Sequence, residues 1–167
     1  MADEATTFDV VVTRVFDAPL ERVWRAWTEP ELVRRWWGPV GFSAPLARMD
    51  VRPGGTSLVC MRSPDGHDLY NTWTYGQVVP GERLEFVLRF SDESGDPLDP
   101  ARLGLPPGIP AEVPHVITFT DVNGRGTRIT VTESGYGIES TRDGSRIGLE
   151  QCLDKMTTAL TDGDFTR

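Results

Sequence analysis

Apolar and polar residues alternate with a period of two over most of this chain, and only three stretches move toward the 3.6-residue period of a helix. From Phe8 to Asp17, Val10, Val12 and Phe16 alternate with Asp9, Val11, Thr13 and Val15, a β-branched pattern that predicts the first strand. Asp17-Ala18-Pro19 ends it. A proline in the first turn then starts a short helix in which Leu20, Val23, Trp24 and Trp27 share a side. Thr28-Glu29-Pro30-Glu31 reads as a second start, with Thr28 and Glu31 as a capping box. Leu32, Val33, Trp36 and Trp37 supply its apolar stripe before Gly38-Pro39 stops it.

The period of two then returns. Strands are expected at 44–51 and 56–62, separated by the turn Arg52-Pro53-Gly54-Gly55, and the turn Ser63-Pro64-Asp65-Gly66 leads to the next. In the strand at 67–79, Leu69, Asn71, Trp73, Tyr75 and Val79 form one parity, against Asp68, Tyr70, Thr72, Thr74 and Val78. After Pro80-Gly81, the strand at 83–90 places Leu84, Phe86, Leu88 and Phe90 on one face. Strands at 113–121, with His115, Ile117 and Phe119 on one parity, and at 127–133, with Ile129 and Val131 together, are joined by a hairpin at Asn123-Gly124. Between them, 91–112 carries five prolines and three glycines without a period; such a loop is either a lid over a site or a surface insertion.

The last periodic stretch, Ser140 to Thr161, predicts the one long helix. Leu149, Cys152, Leu153, Met156 and Leu160 fall on one side and Glu150, Asp154, Lys155 and Thr158 on the other. Ser140 and Asp143 form a weak cap. Gly144 and Gly148 each cost the helix about 1 kcal/mol against alanine, which points to a frayed first turn or a close backbone approach. The order is strand, two short helices, a run of antiparallel strands and a closing helix.

Composition narrows the function. The 167 residues fit one domain, expected over 8–161 after a loose tail at 1–7. A net charge of −8 argues against a nucleic-acid face, which needs clustered Lys and Arg. The N-terminus has no apolar leader and no segment approaches a membrane span, so a soluble cytoplasmic protein is expected, with no membrane contact. Cys60 and Cys152 sit in apolar runs and read as buried, reduced thiols. They lie far from His67 and His115 without metal-ligand spacing, so no metal site is expected; dinucleotide and phosphate loops and a nucleophile elbow are absent too, and no cofactor is expected.

Three groups of residues carry a family resemblance. Phe16-Asp17-Ala18-Pro19, Val23-Trp24-Arg25-Ala26-Trp27-Thr28 and Arg35-Trp36-Trp37-Gly38-Pro39 resemble the opening of the START-like superfamily. Within it, the chain is similar to the branch named after the C-terminal domain of the heat shock protein 90 ATPase activator. The turns Asp50-Val51-Arg52-Pro53-Gly54-Gly55, Met61-Arg62-Ser63-Pro64-Asp65-Gly66 and Val78-Val79-Pro80-Gly81-Glu82-Arg83-Leu84 match it as well. The resemblance implies an α+β helix-grip fold: a curved antiparallel sheet, in the order β-α-α-β-β-β-β-β-β-α, wrapped around the C-terminal helix with a cavity between. It extends to lipid and hormone binders, aromatic polyketide cyclases and many lone bacterial domains, so the fold alone does not transfer a function. The chain has no counterpart of the additional N-terminal domain of the full-length co-chaperone, so chaperone contact is not expected; an interaction module resembling the co-chaperone domain is an alternative that would need an exposed apolar or charged surface. Lone domains of this kind often self-associate; no residue here requires a homodimer.

The inward parities nominate a pocket for an apolar or aromatic small molecule, lined by Asn71, Trp73, Tyr75, Phe86, Phe90, His115 and Phe119 from the strands and by Cys152, Leu153 and Met156 from the helix. Trp36 and Trp37 end the second short helix, where the family places the cavity lip. The same residues also read as a solid core. His115 is the best single polar anchor, and in a cyclase- or hydrolase-like enzyme it would be the base, with Tyr75 or Asp50 beside it. Arg48 and Asp50 share a parity and would put charge at the pocket or at a solvated face.

Overall fold

A sheet with one apolar face needs something to bury it, and here the two short helices and the long one do so. The structure, a computed structural model, describes residues 6–161, so the first five residues of the expected tail lie outside it. The elements are β1 (Phe8–Phe16), α1 (Leu20–Thr28), α2 (Pro30–Trp36), β2 (Ser43–Arg48), β3 (Thr56–Arg62), β4 (Asp68–Val79), β5 (Arg83–Ser91), β6 (Val113–Val122), β7 (Gly126–Tyr136) and α3 (Glu139–Thr161). The seven strands form one sheet in the order β1-β7-β6-β5-β4-β3-β2, every neighbour antiparallel. The helices α1 and α2 carry the chain from one edge, β1, to the other, β2. The sheet curls around α3, which is the helix-grip arrangement that the resemblance implied.

Parity decides which side chains enter the core. In β1, Val10, Val12 and Phe16 are buried while Val11 and Val15 stand more than half exposed. The side of α3 formed by Leu149, Cys152, Leu153, Met156 and Leu160 is buried against the sheet and short helices, as its spacing predicts. Three tryptophans fill the centre. Trp36 is fully buried with its indole N–H donating to the Ala26 carbonyl at 2.7 Å, Trp27 packs on it at 4.6 Å, and Trp73 stacks on Phe86 at 4.5 Å and 10°. Thr127 ties the hairpin back to the first turn, its hydroxyl donating to the Ala18 carbonyl at 2.8 Å.

Three local expectations are corrected. The capping box does not form: Pro30 takes the first helical position, Glu29 becomes the N-cap with its carboxylate turned to Arg25 and no side-chain capping bond, and the Thr28 hydroxyl instead donates to the Trp24 carbonyl of the helix before it. In β4 a bulge between Tyr75 and Val78 reverses the parity, so Val78 packs on the core and Val79 turns outward. The stretch at 91–112 is not structureless. Ser91 and Pro97 form a bridge, and Asp99 caps a single 3-10 turn at Pro100–Leu103 by accepting from the Ala101 N–H at 3.0 Å.

Because Trp73 is fully buried and stacked, Trp73→Ala is expected to lower the free energy of unfolding by about 3–5 kcal/mol in a urea titration. A loss under about 1 kcal/mol would mean that the side chain is not part of the packed centre.

Candidate functional site

The inward face of the sheet is not packed evenly along its length. Toward one end, α3 lies tight on it; toward the other, a cavity of about 780 Å³ separates sheet and helix. The helix contributes Ser140, Thr141, Gly144, Ser145, Gly148, Leu149 and Cys152 to its wall. A β-carbon built on Gly144 or Gly148 meets nothing within 4 Å, so these glycines neither fray the helix nor admit a close backbone, and the expectation drawn from them is corrected. Their missing side chains leave the hollow open at a cost of about 1 kcal/mol each in helix propensity.

Of the residues expected to line a pocket, the structure brings Trp37, Asn71, Phe90, His115 and Cys152 to the cavity wall. Trp36, Trp73, Tyr75, Phe86, Phe119, Leu153 and Met156 belong to the packed centre instead. They share the inward parity, but they sit where α1, α2 and the second half of α3 already fill the space. Trp24, for example, covers Phe119 edge-on at 5.1 Å. The proton-transfer partners proposed for His115 are not beside it. The Tyr75 hydroxyl pairs with Ser57 at 2.7 Å, with Phe86 between it and the imidazole, and burial raises the Tyr75 phenol. Asp50 accepts from Arg52 at 2.9 Å, and Arg48 is exposed, so neither brings charge to the cavity.

Five polar residues of the wall were not anticipated: Ser140, Thr141 and Ser145 on the helix, and Glu133 and Tyr136 on β7. Glu133 continues the inward parity of Ile129 and Val131 in β7 and lies directly across from His115 in β6. It is buried, 8% exposed, with Oε2 3.4 Å from Nε2 of His115. Three residues on, Tyr136 should point the other way. A bulge in the pairing of β1 with β7, with Gly135 in the left-handed region at φ 99°, reverses the parity and turns Tyr136 back onto the same face. Its hydroxyl then donates to Glu133 Oε1 at 2.7 Å, and burial together with the Glu133 charge raises the phenol. His115 is held on its other side as well, Nδ1 standing 2.9 Å from the Val113 carbonyl and the ring stacking on Phe86 at 4.7 Å.

The Pro-rich loop closes the cavity. Leu105, Pro106, Pro107 and Ile109 join its wall, and the loop is latched to the start of α3 by the Thr141 hydroxyl donating to the Pro107 carbonyl at 2.7 Å. The Gly137 N–H donates to the Gly108 carbonyl at 2.8 Å, and a β-carbon at Gly108, φ 93°, would stand 2.9 Å from Ile138. Trp37, Pro39 and Phe42 form the lip opposite. Lys155 fixes that lip to α3, its ammonium donating to the Gly38 carbonyl at 2.9 Å and the Phe42 carbonyl at 3.1 Å, and burial lowers its pKa. Among the described residues, no group of three or more His, Cys, Asp or Glu side chains could hold a metal ion, and no helix is long and apolar enough to cross a membrane.

Comparison with known proteins agrees with this architecture. The family model described as Activator of Hsp90 ATPase homolog 1-like protein matches residues 17–161. No curated protein matches the chain. Among solved structures, protein Ms6760 from Mycobacterium smegmatis is 26% identical, with a TM-score of 0.74 over 92% of this chain and 91% of that one. Protein CV1439 from Chromobacterium violaceum is 25% identical, with a TM-score of 0.73 over 91% and 96%. The AHSA1 protein from Silicibacter pomeroyi, 17% identical with a TM-score of 0.73 over 92% and 97%, shares the fold.

Burial pushes the Cys152 thiol from an ordinary 9.0 up to about 11. The folded value lies above the unfolded one, so the associated stability is present in full below pH 9 and is lost as the pH rises toward 11, because the unfolded chain gives up its proton first. Between pH 8 and 11 the wild type should lose about 2 kcal/mol more than Cys152→Ala does, measured by urea unfolding at both values. Parallel losses in the two proteins would contradict burial of this thiol.

Proposed function

This chain belongs to the family of Activator of Hsp90 ATPase homolog 1-like proteins, and on that footing we propose that it binds an apolar or aromatic small molecule in the cavity between its sheet and α3. The observation that carries the reading is the cavity itself. Its volume of about 780 Å³ falls in the range of small-molecule sites, about 300–1,000 Å³, and far exceeds the voids that ordinary packing leaves. Its wall has the make-up of such a site. Leu69, Leu88, Phe90, Ile109, Val113 and Leu149 give an apolar surface, and a few polar groups converge on it.

The two helix glycines support the same reading from the energetic side. A helix that only had to cover a core would be better served by alanine or leucine at positions 144 and 148, since each glycine weakens it by about 1 kcal/mol. An open wall is what the substitution of side chain by hydrogen provides. The reading predicts a clean separation of binding from stability.

Naphthalene is a suitable probe because it is apolar, rigid and smaller than the cavity. In an NMR titration, its shift changes are expected on amides of 144–152 and on the facing segments of β5 and β6, with saturable binding. Gly148→Leu should abolish that binding and leave the midpoint of thermal unfolding unchanged or higher, because leucine adds helix propensity and fills the hollow. Naphthalene binding that Gly148→Leu leaves intact, or shifts scattered over the outer surface, would refute the cavity as the site.

A further inference from the structure

Building on the cavity reading, we infer that Glu133 is the ligand anchor of the cavity and that it selects apolar ring compounds carrying a hydroxyl group. Nδ1 of His115 stands 2.9 Å from the Val113 carbonyl oxygen, which can only accept, so Nδ1 carries a hydrogen. Nε2 then faces Glu133 Oε2 at 3.4 Å, and two lone pairs cannot bond to each other. The contact is favourable when the pair holds one further proton between them, as imidazolium and carboxylate or as imidazole and carboxylic acid. The Tyr136 hydrogen is already committed to Oε1 at 2.7 Å. Both ring nitrogens and the phenolic hydrogen therefore have partners, and what the three side chains His115, Glu133 and Tyr136 still offer a ligand is acceptor capacity, chiefly the remaining lone pairs of Glu133.

The matching ligand group must therefore donate a hydrogen. A hydroxyl does so; a carboxylate has no hydrogen to give, so it would bring lone pairs against lone pairs and lose its own hydration in an apolar surround. A bare hydrocarbon would cover Glu133 without replacing the water it loses, which also disfavours it. The cluster is a built one. His115 and Glu133 are 6% and 8% exposed, and Gly135 bends the strand so that Tyr136 reaches the carboxylate.

A second, independent observation marks the same hollow as a place for a guest with polar ends. Asn71, 1% exposed, lies on the cavity wall, and neither its amide nitrogen nor its amide oxygen has a hydrogen-bond partner. The Trp37 indole N–H, also at the wall, is likewise without one. A buried amide left unpaired on both atoms costs about 1–3 kcal/mol per group, which a ligand's polar group would recover. Asn71 is three strands from Glu133 along the ladder, so the two polar ends are separated by apolar wall.

The test compares naphthalene, naphthol and naphthoate, which share one ring system, by the same NMR titration on wild type and Glu133→Gln. Wild type is expected to bind naphthol about tenfold or more tighter than naphthalene, as one hydrogen bond to an otherwise unsatisfied buried acceptor allows, and naphthoate more weakly than either. Glu133→Gln should cut the preference for naphthol to about threefold or less and bind naphthoate more tightly than wild type does. That gain cannot come from an unfolded variant, and the wild-type comparison stands whatever the stability of Glu133→Gln. Equal binding of naphthol and naphthalene by wild type, or a preference that survives in Glu133→Gln, would overturn the anchor and leave the cavity reading in place. Failure of all three compounds to bind would remove the cavity reading and the anchor with it.

Discussion

The packing of α3 across the inward face of the curled sheet is the constraint on which everything else here depends. A seven-stranded antiparallel sheet with one apolar face cannot stand alone, and among the described residues α3 is the one element long enough to cross it. The helix does two things along its length. Leu149 and Cys152 edge the cavity, and beyond them Leu153, Met156 and Leu160 drive into the core beside Trp27, Trp36 and Trp73. Before Leu149, Gly144, Ser145 and Gly148 present almost no side chain, and the sheet opposite them stays uncovered. One half of the helix supplies stability, and the other spans a space.

That division explains where polar chemistry can sit. A buried carboxylate in the packed half would need complete pairing with no room for a guest, whereas Glu133 at the edge of the hollow has two partners and spare acceptor capacity. The loop at 105–109 and the lip at Trp37, Pro39 and Phe42 narrow the space from either side. The Thr141 hydroxyl on Pro107 and the Lys155 ammonium hold both rims against α3, and the Gly137 N–H holds Gly108 just before that helix begins. Helix, loop and lip thus act as one frame around the cavity.

Much of the fold was legible because turns and parity are local signals. The strand at 56–62 emerges with the limits read from its flanking Pro-Gly and Asp-Gly turns, and Val10, Val12 and Phe16 point inward as their alternation requires. The site was less legible, for a physical reason. Parity says which face a side chain takes but not how far along that face the helix is packed, so Trp73 and Phe86 could not be told from Phe90. Glu133 was within reach of the same rule, two residues beyond Val131 in the same strand. Tyr136 was not within reach, since a bulge at Gly135 cancels the parity on which any such reading rests. The capping box at Thr28 failed because Pro30 had a stronger claim on the first helical position.

The most direct measurement of the central claim is the unfolding free energy of Gly148→Ala relative to wild type. If the first half of α3 spans a hollow, the added methyl group meets nothing, and the account predicts a gain of about 0.5–1 kcal/mol from helix propensity alone. A loss of stability would mean that the methyl group strikes packed protein, and would contradict the cavity on which the functional reading stands.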